Sequence, residues 1–152
     1  MRDIRRRVLV VFWCLALWPV SASGQGTPWA SYTDGGIKAF QQGKHAEAEK
    51  FFQAAVKEAE QFGPQDSRLP QSLNNLAALY YKQGQYARAE PVYKRSLGTR
   101  EKALGPEHPD VAQSLQSYAA LLRKTNRATE ASGMEARAQA IRAKQSKKNP
   151  AK

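Results

Sequence analysis

The sequence predicts an all-α fold, a solenoid of three helix pairs, and three observations carry that prediction. The chain aligns on itself: with a shift of 42, Leu73, Leu76, Ala77 and Leu79 fall on Leu115, Tyr118, Ala119 and Leu121, apolar on apolar throughout. With a shift of 41, "GKHAEAEKFFQAAV" from Gly43 falls on "GQYARAEPVYKRSL" from Gly84. Within the copies, apolar residues recur at steps of three and four, as in Ala48, Phe52, Ala55, Ala59 and Phe62, or Ala131, Met134, Ala138 and Ile141; such spacing puts them on one stripe of a helix. Breakers stand where stripes end: Gly63 with Pro64 and Gly105 with Pro106 each pair a residue tolerant of left-handed backbone with one that cannot continue a helix. One helix pair cannot bury its stripe alone, so repeating the pair is what builds a core.

The elements follow in order along the 152 residues. A basic start, "MRDIRRR", precedes the 13-residue apolar run Val8 to Val20 and the small-residue stretch "SASGQG", the order of a secretory signal peptide over residues 1–22. Cleavage is expected after Ala22, with Ser23 or Gly24 as alternatives, giving an exported chain, periplasmic or secreted. The run falls short of the roughly 18 residues that span a bilayer, so no stable membrane span is expected after processing; the alternative is an uncleaved anchor through residues 8–20. The only cysteine, Cys14, lies in this run, and a chain processed there has no thiol for disulfides, catalysis or metal binding. The net charge is +11; loss of residues 1–22, with four arginines against one aspartate, leaves +8, which favours anionic partners.

Residues 23–30 are small, polar and proline-bearing and read as a flexible lead-in. The repeat domain covers 31–143, in units of about 31–66, 67–108 and 109–143. The first helices are expected at Tyr32–Gln42, Leu69–Gln83 and Pro109–Lys124, the second at His45–Phe62, Tyr86–Leu104 and Ala128–Lys144. Gly43, Gly84 and Asn126 mark the turn inside each unit, and Pro109 suits a first helical position, where its missing N–H costs nothing. The first helix of unit one is short and glycine-rich, which predicts fraying. Residues 144–152 are basic, without large apolar side chains, and read as a disordered tail.

Leu73, Leu76, Ala77, Tyr80, Gly84, Tyr86, Ala89 and Tyr93 follow the alternation of small and large residues of a tetratricopeptide repeat. "LNNLAALYYKQGQYARAEPVYKRSL" followed by "REKALGPEHPDVAQSL" resembles the 42-residue variety of kinesin light chains and of many bacterial repeat proteins, over about Tyr32 to Ile141. The resemblance implies a right-handed solenoid that serves as a noncatalytic protein-interaction scaffold, with the first helices lining a concave groove. Ala77, Ala89, Ala119 and Ala131 would allow close helix approach, while Leu76, Tyr80, Tyr93 and Leu122 fill the gaps. The third unit departs at Glu135, where a large aromatic is expected, and Met134 is placed to take that space.

Once the core is assigned, two polar faces remain on the first helices: Gln71, Asn74, Asn75, Ala78, Tyr81 and Lys82 in unit two, and Gln113, Gln116, Ser117, Ala120, Arg123 and Lys124 in unit three. Side-chain amides can both donate to and accept from the backbone of an extended peptide, and Arg123, Lys82 and Lys124 would favour acidic side chains on it. The expected partner is thus a protein or extended peptide, acidic in character. The family's carboxylate clamp for chaperone tails is not expected, since Thr33, Ile37, Gln113 and Ser117 stand where it has other residues and only Asn75 matches. His45 reads as a packing or helix-start residue and His108 as a helix cap. Glu47, Glu49, Glu58 and Glu60 read as solvated faces. Two histidines in different units give neither a metal site nor an acid–base pair, and "GQGTP" lacks the strand, lysine and helix of a phosphate loop. No catalytic residue, cofactor or metal is expected, and no nucleic acid, because the basic tail lacks aromatics for stacking. The competing function is a structural or envelope-associated protein held to anionic surfaces by its basic last helix and tail.

Overall fold

The computed structural model describes residues 27–148, which form six helices: α1 (Pro28–Gln41), α2 (His45–Ala59), α3 (Arg68–Lys82), α4 (Tyr86–Leu104), α5 (Pro109–Lys124) and α6 (Ala128–Lys148), with a short 3-10 turn at Glu60–Phe62 after α2. There is no strand among the described residues. The signal-peptide segment 1–22 lies outside them. Each helix packs on its neighbour in sequence, and α3 also meets α5, so the first helices of successive units share one layer. No described helix is long and apolar enough to cross a membrane.

The turn inside each unit is the same device three times. At the end of α3, the Gln85 N–H donates to the Tyr80 carbonyl at 2.9 Å and the Gly84 N–H to that of Tyr81 at 3.0 Å; these are the two bonds of a Schellman motif. Lys44 with Gly43, and Arg127 with Asn126, make the equivalent pairs. The residue at the bend has φ of 73°, 72° and 61° at Gly43, Gly84 and Asn126, which is left-handed backbone. The third unit therefore holds an asparagine where glycine is the less strained residue.

The predicted core is buried except at Phe62, which falls in the 3-10 turn beyond α2 and is 39% exposed. Ala48, Ala77, Ala89 and Ala131 are each 0% exposed, and Leu76, Tyr80, Tyr93 and Leu122 fill the spaces between helices in one cluster that runs through all three units. A second cluster joins Val111, Ala112 and Leu115 of α5 to Ala138 and Ile141 of α6, with Met134 packed against both. Met134 thus takes the room that Glu135 leaves.

Three sequence expectations need correction. The lead-in does not extend to residue 30: α1 starts at Pro28, because the Trp29 indole N–H donates to Ser72 Oγ at 2.7 Å and ties the helix start to α3. The glycines of α1 serve packing: a Cβ on Gly36 would stand 2.5 Å from the buried Phe52 ring, and one on Gly35 3.0 Å from Phe51. At its near end, the tail is helix. α6 runs to Lys148, since Lys144 pairs with Glu107 and the Gln145 amide donates to the Glu107 carbonyl at 3.3 Å, holding the last turn against the loop between units two and three. Residues 149–152 of the expected tail lie outside the described residues.

Candidate functional site

The layer of first helices carries two adjoining cavities. The larger, about 260 Å³, is polar and lined by Ser67, Gln71, Asn74 and Asn75 around α3, Asp110 and Gln113 of α5, and Arg100 of α4. The smaller, about 130 Å³, is apolar and lies between α1 and α3, lined by Ile37, Phe40, Phe52, Ala78 and Leu79 together with Asn75. Asn75 belongs to both, so the two form a continuous strip across units one to three. Ile37, at 40% exposure, is one of two large apolar side chains left open among the described residues; the other, Phe62, lies under the Arg68 guanidinium, 3.3 Å from the ring centroid.

Of the twelve residues on the two predicted faces, Gln71, Asn74, Asn75 and Gln113 come together at the polar cavity, and Ala78 lines the apolar one. The others line neither. Tyr81 is half-buried and packs its ring 5.7 Å from that of Tyr86. Gln116 accepts from Arg142 at 2.7 Å, which commits it to α6. Arg123 makes a two-pronged pair with Glu135, at 2.7 and 2.5 Å, so its charge is matched within unit three. Ser117 is half-buried, and Lys82 and Lys124 are exposed at the ends of their helices.

Arg100 was not among the predicted residues, yet it is the cation of the cavity. It is 7% exposed, and its Nη1 donates to the Asp110 carbonyl at 3.1 Å. Burial lowers its pKa, an effect partly offset by the Asp110 charge. A signal for it exists in the sequence: Ala89, Tyr93, Ser96 and Arg100 are the buried residues of α4 and recur at steps of four, three and four, so an arginine occupies a position on an apolar stripe. Ser96 on the same stripe is satisfied, donating to the Pro70 carbonyl at 2.7 Å. Asn74 Oδ1 is buried without a hydrogen-bond partner.

Two carboxylates lock the units that frame these cavities. Glu49 of α2 accepts from the Tyr80 hydroxyl at 3.0 Å and from Arg88 at 2.6 Å, and Arg88 lies 4.1 Å over the Tyr80 ring. It is no solvated face residue, contrary to the sequence expectation. Glu90 of α4 accepts from the Tyr118 hydroxyl at 3.1 Å and from Arg127 at 2.7 Å, with Lys94 at 2.8 Å. Lys94 and Arg127 pull its pKa down to about 2. His108 caps α5 as predicted, its Nδ1 accepting from the Asp110 N–H at 3.2 Å. His45 begins α2 and packs 5.8 Å from the Phe40 ring. Among the described residues, no three histidine, cysteine, aspartate or glutamate side chains group as metal ligands would.

The sequence profile of the family described as "Tetratricopeptide repeat" matches residues 35–102 and 68–144. A nucleotide-binding leucine-rich repeat (NLR)-like protein of Hyaloscypha variabilis is 41% identical over 54 residues, 34% of this chain and 6% of that protein. Among solved structures, BtubC (BKLC) from P. vanneervenii superposes with a TM-score of 0.71 at 25% identity, covering 77% of this chain and 47% of the other. A kinesin light chain-type protein of nearly identical TPR-like repeats from Podosopora anserina superposes at 0.69 and 22% identity, covering 80% of this chain and 58% of the other. The chain thus spans a small part of the first relative and about half the length of these solved chains.

Proposed function

Since the chain belongs to the tetratricopeptide-repeat family, whose members generally act as noncatalytic scaffolds for protein–protein interaction, we propose that it binds an extended peptide or protein segment along the strip of cavities on its first helices. The observation that carries this reading is the convergence of Gln71, Asn74, Asn75 and Gln113 on one polar cavity that adjoins an apolar one. Amides there can pair with a peptide backbone whatever its sequence, and the apolar cavity offers a seat for one side chain. Catalysis has no part in this reading, which follows the family's general use as a noncatalytic scaffold.

The test is retention of proteins from the native envelope fraction by the immobilised full chain. Asn74→Ala with Asn75→Ala is expected to abolish specific retention, while Lys147→Glu with Lys148→Glu, both exposed on the last turn of α6, is expected to leave it intact. The reverse pattern would favour the alternative of a protein held to anionic surfaces by its basic end. Export belongs to the same proposal and rests on the order of the first 22 residues: amino-terminal sequencing is expected to find Ser23 first, whereas a product starting at Met1 and sedimenting with membranes would make it an anchor.

A further inference from the structure

Arg100 is a buried cation with no carboxylate at ion-pair distance, the Asp110 charge acting on it only from farther off. It is 7% exposed, its guanidinium donates to the Asp110 main-chain carbonyl, and it is absent from every ion pair among the described residues. A guanidinium has five N–H donors in a planar fork suited to a carboxylate, and burying such a charge without a counterion is costly. The other charged side chains of the predicted groove are placed differently: Arg123 is spent on Glu135, while Lys82 and Lys124 are exposed and solvated. On the wall of the same cavity, Asn74 has an acceptor oxygen that is buried and unpaired. The site therefore offers an anion-binding fork and an unused acceptor within a volume of about 260 Å³, room for one side chain.

We propose that this cavity anchors a single aspartate or glutamate side chain of an extended peptide, with its carboxylate on Arg100 and a backbone N–H of the peptide on Asn74 Oδ1. The proposal rests on the groove reading above and specifies its chemistry. Charge complementarity selects the occupant, and the amides of Gln71, Asn75 and Gln113 around the rim hold the peptide backbone beside it. One group on the wall works against the anion. The Asp110 carboxylate, half exposed and 3.8 Å from His108 Nδ1, is the acidic residue lining the cavity and repels a second carboxylate.

The experiment is an amide chemical-shift titration of the full chain with three probe peptides: acetyl-Ala-Ala-Glu-Ala-Ala-amide, its Gln counterpart, and the Gln peptide with a free carboxy terminus. The Glu peptide is expected to saturate the shifts of Gln71, Asn74, Asn75 and Gln113 at about tenfold lower concentration than the Gln peptide, the usual worth of a hydrogen bond to a charged group. Arg100→Gln should erase that difference. Because Arg100→Gln also removes a bond to the Asp110 carbonyl and could loosen the fold, Asp110→Asn serves as the second variant. It keeps the backbone bonds and should tighten the Glu peptide alone, by about two- to threefold. Equal titration by the Glu and Gln peptides, tighter binding of the free-terminus peptide than of the Glu peptide, or an Asp110→Asn variant that treats Glu and Gln peptides alike would each overturn the assignment. Equal shifts at these amides by both peptides would leave groove binding standing and remove only the anion. No shift from any probe would remove both.

Discussion

The junction between units one and two and the junction between units two and three are built on the same carboxylate. Glu49 and Glu90 stand 41 residues apart, the spacing that also separates Gly43 from Gly84, and each takes a tyrosine hydroxyl and an arginine from the following unit. The donors come from different places. Tyr80 lies in the last turn of α3, whereas Tyr118 sits one turn earlier in its helix, over Leu76 in the repeat alignment. Arg88 follows its turn residue by four positions and Arg127 by one. A repeat thus fixes where the acceptor stands, while long, flexible donors can reach it from several positions. The second junction carries more charge, since Lys94 reaches Glu90 from within α4 where the neutral Gln53 amide of α2 donates to Glu49 at 3.1 Å.

The unequal donor sets predict unequal stability. Glu90→Ala removes the acceptor of the Tyr118 hydroxyl and of two cations, of which Arg127 keeps Glu130 and Lys94 is left alone, and should cost about 2 kcal/mol, against about 1 kcal/mol for Glu49→Ala, which removes the acceptor of two neutral donors and of one cation that still stacks on Tyr80. Urea unfolding followed by circular dichroism checks this as a shift in midpoint at unchanged slope. Equal losses would mean that Lys94 adds nothing.

Acid should separate the junctions in the same direction. Both carboxylates have depressed pKa values, Glu90 at about 2 and Glu49 lowered mainly by Arg88. A group depressed on folding contributes stability above its unfolded value and loses it as pH falls through the folded value. The Glu90 contribution is therefore complete above about 4.5 and fades toward about 2. Acid titration of Glu90→Gln should show a flatter fall of stability across that window than Glu49→Gln does. A wild-type slope in Glu90→Gln would place the acid sensitivity elsewhere.

What the sequence made legible was periodic or local: the stripes, the turn residues, the cap at His108 and the side-chain amides that α3 brings to the polar cavity. What it hid were pairs set by distance along the chain. Glu49 looks like any helix-surface acid because its partners lie 31 and 39 residues away. Gly35 and Gly36 look like helix-weakening residues until Phe51 and Phe52 of α2 are seen against them. Lys144 looks like tail because Glu107 is 37 residues back. Arg123 was predicted for the ligand and is taken by Glu135, a contact between two helices of one unit that spacing alone does not reveal. Arg100 stood in plain view on an apolar stripe, but an arginine there reads as a flaw in the pattern unless the cavity beside it is known.

The two later units also differ at the bend, and that difference predicts the smallest effect. Gly84 and Asn126 make the same pair of carbonyl bonds at φ of 72° and 61°, so the motif is equal and only the steric cost of a Cβ differs. Asn126→Gly should relieve that strain and stabilise the third unit by about 0.5 kcal/mol. This lies below the penalty of ordinary left-handed residues, because asparagine tolerates the region better than most and glycine loses more freedom on folding. Gly84→Asn should cost a similar amount at the second unit, so the double exchange would leave global stability nearly unchanged. Hydrogen exchange at Arg127 and Gln85, whose N–H groups close the two motifs, would register the opposite local shifts. If Asn126→Gly slows exchange nowhere in α5 or α6, the third unit's turn is limited by packing against Glu90 and Arg127 rather than by its backbone.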